Sequence, residues 1–204
     1  GVNWIPSAAN FIAIETPGAP GSSGLRVDLY RFDDVLMNTF YASANGWGQS
    51  APLQISQTGS YTVRVTENYG YRGEYRLRVT RAAAGVGFET EDNNAVANAN
   101  YPSYLQGVGQ LTARMAGYLS FGDAAGDYFD LGFLEPGSQV ALGLQQPSSS
   151  GVRGILAVVN ANGQTQVTTA SGATNLNFTI PPGAGGTYSA RITADPLAPA
   201  QLIG

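Results

Sequence analysis

Five carboxylate or amide side chains fall within six residues of this chain: Glu89, Glu91, Asp92, Asn93 and Asn94, in the stretch FETEDNNAVANA. Carboxylates and amides this close suit a hard cation, because Ca²⁺ takes about six to eight oxygen ligands at ~2.3–2.6 Å. Clustered carboxylates repel one another unless a cation or an arginine sits among them. The residues also support a plainer reading, a solvated linker in which Asp92 or Asn93 caps a short turn. A second group is aromatic: Trp47 in NGWG, and Tyr69 and Tyr71 in NYGYRGEY. Exposed rings stack on sugar faces and anchor interfaces, so these three are candidate carbohydrate or partner contacts. The plainer reading makes Tyr69 and Tyr71 hairpin decoration and places Tyr75 in the core by alternation. Asp33 and Asp34, in FDDV, read as a β-turn. Glycosidases use two carboxylates, but nothing in the sequence builds a cleft around this pair.

The missing residue types bound the chemistry further. The chain has no His, Cys or Lys, and all ten of its basic residues are Arg. The usual zinc ligands, Ser–His and Cys–His pairs, Schiff-base lysines and Walker lysines are therefore excluded. Carboxylates, Tyr and Arg remain as acid–base groups, and the expectation is a protein without catalytic activity. A net charge of −4 with no basic run argues against nucleic acid. No apolar run reaches the ~18 residues a membrane span needs. The absence of Cys rules out disulfides without fixing a compartment.

These groups must be positioned by strands. Hydrophobic residues make up 43% of the chain and charged residues 12%, which favours folded cores over disorder. The 27 Gly and 11 Pro point to many turns between short strands. Alternation of period two dominates: Tyr61, Val63 and Val65 against Thr62, Arg64 and Thr66; Tyr75, Leu77 and Val79 against Arg76 and Arg78. In GLRVDLYRF, Leu25, Val27 and Leu29 point inward. The two strands flanking ENYGYRGE are expected to form a hairpin. GILAVVNANGQTQVTT reads as strand, Asn-Gly turn, strand. NNAVANANYPSYL has room for about one helical turn. Asn177, in the sequon NFT, faces outward from Leu176, Phe178 and Ile180.

An internal repeat divides the chain. TGSYTVRVT, from Thr58 to Thr66, recurs as GGTYSARIT, from Gly185 to Thr193. SSGLR, from Ser22 to Arg26, recurs as SSGVR, from Ser149 to Arg153, and both offsets are 127 positions. A shared domain-sized offset marks two copies rather than a solenoid. RAAAGVG, from Arg81 to Gly87, is the linker, giving domain one at residues 1–84 and domain two at 85–204. Counterparts of domain one begin near Val140, and YRLRV maps onto the final LIG. The reading is a piece of a longer tandem array, its first repeat truncated at the N-terminus; a naturally smaller first domain is the alternative. A sandwich lacking the counterpart of Asp127 to Phe133 would have an open edge near Phe11 to Glu15. Sequence upstream of this chain could fill it, or a strand donated by a second copy, which would make a filament.

Domain two runs from FETEDNNAVANA through GYLSFGDAAGDYFDLGFLEPGSQVALGL to GTYSARIT, and in that order it resembles the bacterial pre-peptidase C-terminal domain family. Domain one shows the later half, most clearly TGSYTVRVTENYGYRGEYRLRV. The resemblance implies exported, jelly-roll-like sandwiches that bind calcium, collagen or polysaccharide or act as spacers. It also implies that the acidic box lies beside the Gly-Asp step. That would bring Asp123 and Asp127 to Glu89, Glu91, Asn93 and Asn94 as a calcium set, with Asp130 a weaker candidate. The long YPSYLQGVGQLTARM insertion and the four-residue spacing of Asp123 and Asp127 depart from the family pattern.

The expectation is therefore an all-β protein of two tandem jelly-roll-like antiparallel β-sandwiches, the first incomplete. Its role is a non-catalytic structural or adhesive repeat of an exported bacterial surface or filament-forming protein, at the cell surface or outside it. The alternative is a carbohydrate- or matrix-binding accessory module of a secreted hydrolase. Calcium is the expected cofactor. Copies of the chain itself or a polysaccharide are the expected partners.

Overall fold

The computed structural model describes residues 2–4, 10–15, 24–42, 48, 50, 53–55, 57, 59–67, 75, 77–82, 85–90, 92–119, 125–146 and 152–195. Over these residues the chain is all-β and almost wholly antiparallel. It divides into two compact units, residues 1–88 with 113–116, and residues 89–112 with 117–204.

Domain one contains β1 (Val2–Trp4), β2 (Asn10–Glu15), β3 (Arg26–Tyr30), β4 (Leu36–Tyr41), β5 (Leu53–Ile55), β6 (Gly59–Thr66), β7 (Arg78–Ala82) and β8 (Gly87–Phe88). One sheet has the order β1-β6-β3-β4 and the other β5-β2-β7. Alternation places Val27, Leu29 and Tyr61 of the first sheet against Ile55 of the second, with Val63, Val65 and Val79 packed around them. Each such side chain fully buried contributes roughly 1.5–3 kcal/mol. Leu25 is buried with Val27 and Leu29, as the pattern requires.

Domain two opens with a single 3-10 turn at Val96–Asn98 and a hairpin of β9 (Leu105–Gly107) and β10 (Gln110–Thr112). β11 (Met115–Ala116) belongs to the first unit and pairs there in parallel with β8. Then come β12 (Asp127–Leu134), β13 (Gln139–Gly143), β14 (Gly154–Asn160), β15 (Thr165–Thr168), β16 (Asn175–Thr179) and β17 (Gly186–Ala194). The sheets are β12-β17-β14-β15 and β13-β16. Leu156, Val158 and Tyr188 of one meet Val140, Leu176 and Ile180 of the other side of the core. β14 and β15 pair around the Asn-Gly turn, where Gly163 takes the left-handed φ of 74° that favours glycine.

The two units share one strand plan. The order β12-β17-β14-β15 reproduces β1-β6-β3-β4 strand for strand. Four expectations need correcting. The strand thought absent from domain one is present: β1 pairs with β6 as β12 pairs with β17. β2, at the edge expected to be open, is flanked by β5 and β7 of its own chain, so that edge leaves no gap for a donated strand. β6 and β7 do not pair as a hairpin: β6 lies in the sheet β1-β6-β3-β4 and β7 in the sheet β5-β2-β7. Tyr75 is 47% exposed, since β7 begins only at Arg78 and the alternation before it lies outside the sheet.

The 127-residue offset holds for β6 and β17 but not for the strands beside them: Trp4 faces Gly59 and Leu134 faces Gly186, so β1 and β12 are 130 positions apart. Val65 faces Val27 and its counterpart Ile192 faces Leu156, so β3 and β14 are 129 positions apart. Two extra residues in a connecting loop shift the strand in sequence without moving it in the sheet, as loops readily allow.

Candidate functional site

Asn100 fastens the acidic box to β12. Its Nδ2 donates to the Thr90 carbonyl at 2.9 Å, and its Oδ1 accepts from Thr90 N at 2.8 Å and Asn93 Nδ2 at 3.3 Å. Its backbone N donates to the Tyr128 carbonyl, and its own carbonyl accepts from Asp130 N, both at 2.8 Å. Tyr128 N in turn donates to the Asn93 carbonyl at 3.0 Å. Asn93 therefore lies beside the start of β12, where Asp127 sits. Both side chains are buried, as is Glu89. Glu89 Oε1 accepts from Tyr118 N, and a Cβ at Gly117 would collide with the same carboxylate.

The box is thus not a solvated linker at Glu89 and Asn93. Nor does Asp92 or Asn93 cap the 3-10 turn, whose N-cap is Ala95 with no side-chain bond. Asp92 is exposed and takes the Asn94 Nδ2 at 3.0 Å. Asn94 Oδ1 is buried and accepts no hydrogen bond. Gly126 holds a left-handed φ of 80°, and a Cβ there would strike the Ile192 carbonyl of β17, which accounts for the glycine before Asp127. Asp130 Oδ1 accepts from Gly132 N at 2.8 Å across a β-bulge. Glu91 and Asp123 lie outside the described residues, as do Trp47, Tyr69 and Tyr71. Among the described residues no three carboxylates converge on a metal position.

Asp33 and Asp34 form the turn expected of them. Arg31 N donates to the Val35 carbonyl at 2.9 Å, and Asp34 has φ 60°. Arg31 pairs bidentately with Asp33 at 2.7 and 2.6 Å on the surface, where such pairs contribute little.

A polar cluster in domain one escaped sequence reasoning. Asp28, at the centre of β3, is 0% exposed. Its Oδ1 accepts from Arg26 Nε at 2.9 Å and Thr39 Oγ1 at 2.6 Å, and its Oδ2 accepts from Arg64 Nη2 at 3.0 Å. Arg64 Nη2 also donates to the Tyr30 hydroxyl at 2.6 Å, and the guanidinium lies 4.9 Å from the Tyr30 ring centre. The signal was present: an aspartate alternating with Val27 and Leu29 must lie on the opposite face, where the matching strand carries Arg64. An open groove of about 380 Å³ beside the cluster is lined by Arg26, Arg64, Val65, Thr66 and Glu67.

No helix among the described residues is long and apolar enough to cross a membrane. No family model matches the chain, and no curated protein matches it. Among solved structures it is similar to a crystal structure titled PBSX exported protein XepA, at 12% identity and a TM-score of 0.30, over 92% of this chain and 72% of that one. At that score the likeness carries no argument, and the resemblance to pre-peptidase C-terminal domains rests on motif residues alone.

Proposed function

We propose that the chain is a non-catalytic pair of β-sandwich modules from an exported bacterial surface or secreted protein, with a structural or adhesive role. One observation carries this reading: what the two copies share is scaffold. The repeated phrase supplies an inner strand of each larger sheet, β6 and β17, and a tyrosine that ties that strand to the residues before it. Tyr61 Oη donates to the Gln57 carbonyl, and Tyr188 Oη to the Ala184 carbonyl. The candidate ligand residues, by contrast, are private to one copy.

Calcium belongs to this reading as a structural ion of domain two, held by Glu89, Glu91, Asn93, Asn94, Asp123 and Asp127. The burial of Glu89, Asn93 and Asp127 supports it, and so does the buried Asn94 Oδ1. Calcium accepts such mixed carboxylate and amide oxygens. The non-catalytic role is tested by incubating the protein with glycoside, ester and peptide substrates. No turnover is expected; turnover that Asp33→Asn or Asp127→Asn abolishes would overturn it.

A further inference from the structure

We infer that the outer face of the β1-β6-β3-β4 sheet binds a saccharide bearing a carboxylate, a uronic acid unit, at Arg26 and Arg64. The inference takes up the adhesive side of the reading above, and the binding titrations below fail independently of the turnover assays.

The cross-strand register builds the site. Tyr41, Arg26 and Thr66 form one row across β4, β3 and β6, and Thr39, Asp28 and Arg64 form the next. Tyr30 pairs with Thr62 beyond them. Paired residues share a face, so two arginines stand among five hydroxyl-bearing side chains. Asp28 fixes both guanidiniums from below through one nitrogen each. Arg26 keeps Nη1 and Nη2 to donate, and Arg64 keeps Nε and Nη1. The side chains are 38% and 58% exposed, open to the groove.

Charge and chemistry select the ligand. With Asp28 beneath and Glu67 at the rim the two guanidiniums are balanced in charge, so a ligand carboxylate is held by the forked bond that Arg26 Nη1 and Nη2 still offer and not by surplus charge. Because Asp28 holds the arginines in place, little side-chain freedom is lost on binding. The hydroxyls of Thr66 and Tyr41 both donate and accept, as sugar hydroxyls require. Glu67 lines the rim, and its charge disfavours a ligand carrying several carboxylates, such as an acidic peptide. The chain's net charge of −4 gives no long-range attraction for polyanions, so recognition is short-ranged.

Domain two provides an internal control. The positions matching Arg26, Asp28 and Tyr30 are Ile155, Ala157 and Val159, and Ala157 and Val159 are 1% and 0% exposed. Arg191, the counterpart of Arg64, turns to the Tyr128 hydroxyl at 3.4 Å and Thr165 Oγ1 at 3.3 Å. The same sheet face is closed there and open in domain one.

Calorimetric titration of the whole chain with galacturonate and glucuronate tri- and tetrasaccharides tests this, with their methyl esters and triglutamate as comparisons. Binding of at least one acidic oligosaccharide is expected, weakened about tenfold or more by Arg64→Ala and unaffected by Arg191→Ala. Since Arg64→Ala exposes Asp28's buried charge, Arg64→Lys and Thr66→Val are measured as well, each with a thermal melt; folded variants that bind several-fold more weakly support the site. Equal binding of the esters or of triglutamate, equal loss in Arg191→Ala, unchanged binding by folded Arg64→Lys and Thr66→Val, or no binding at millimolar ligand overturns it.

Discussion

Tyr61 and Tyr188, 127 positions apart, make the same bond: each hydroxyl donates to a carbonyl four residues upstream, at 2.8 Å to Gln57 and 2.5 Å to Ala184. Both rings are buried in the cores they help fill. The repeat survives where this bond enters the sheet.

Tyr61→Phe and Tyr188→Phe keep the ring and remove the hydroxyl. Each should cost its own domain about 1 kcal/mol, the usual net contribution of one hydrogen bond. Urea unfolding followed by a probe in each domain reads the effect. A loss several times larger in one copy alone would mean that the bonds are not equivalent.

Asn100→Ala removes three side-chain hydrogen bonds that hold Thr90 and Asn93. Partial exposure tempers the loss, so about 1–3 kcal/mol is expected in domain two. Hydrogen exchange should quicken at residues 89–94 before any change in β14 or β17. Uniform acceleration across the domain would contradict a local clamp.

Asp28 should give domain one an acid limb. Burial raises its pKa, but hydrogen bonds from Thr39, Arg26 and Arg64 outweigh burial and bring it below 3.8. A carboxyl with a depressed folded pKa adds stability above its unfolded value and loses it as pH falls through the folded one. Melting temperature should therefore drop below about pH 4. Asp28→Asn should flatten that drop while lowering stability at pH 7, where both arginines lose their counter-charge. An equally steep acid limb in the variant would place the titration elsewhere.

Saturating calcium should raise the melting temperature of domain two by mass action, with chelator reversing the gain. Asp127→Asn should reduce it and Asp28→Asn should not. Identical scanning calorimetry with calcium and with chelator would remove the metal from this domain.

Much of the architecture was legible because alternation is a local signal. Val27 and Leu29 inward, Asn177 outward and the turn at Asp34 all follow from residue order. What sequence missed depends on which strands become neighbours. β1 is too short to show a period, and Tyr75 continues an alternation that no sheet receives. Asp28 could be placed on a polar face, but its burial depends on Arg26, Thr39 and Arg64 arriving from three strands. The role of Asn100 was invisible for the same reason: one more asparagine in NNAVANAN gains meaning only when Thr90, Asn93 and Tyr128 surround it.

The pairing of β8 with β11 means that the polypeptide passes between its two units three times, after Phe88, after Thr112 and after Ala116. Here a single break after Phe88 strands β8 without its partner, and one after Ala116 carries off the acidic box with the wrong neighbour. A cut at either place therefore divides residues that one unit holds together, so the two units are not separable at a single peptide bond.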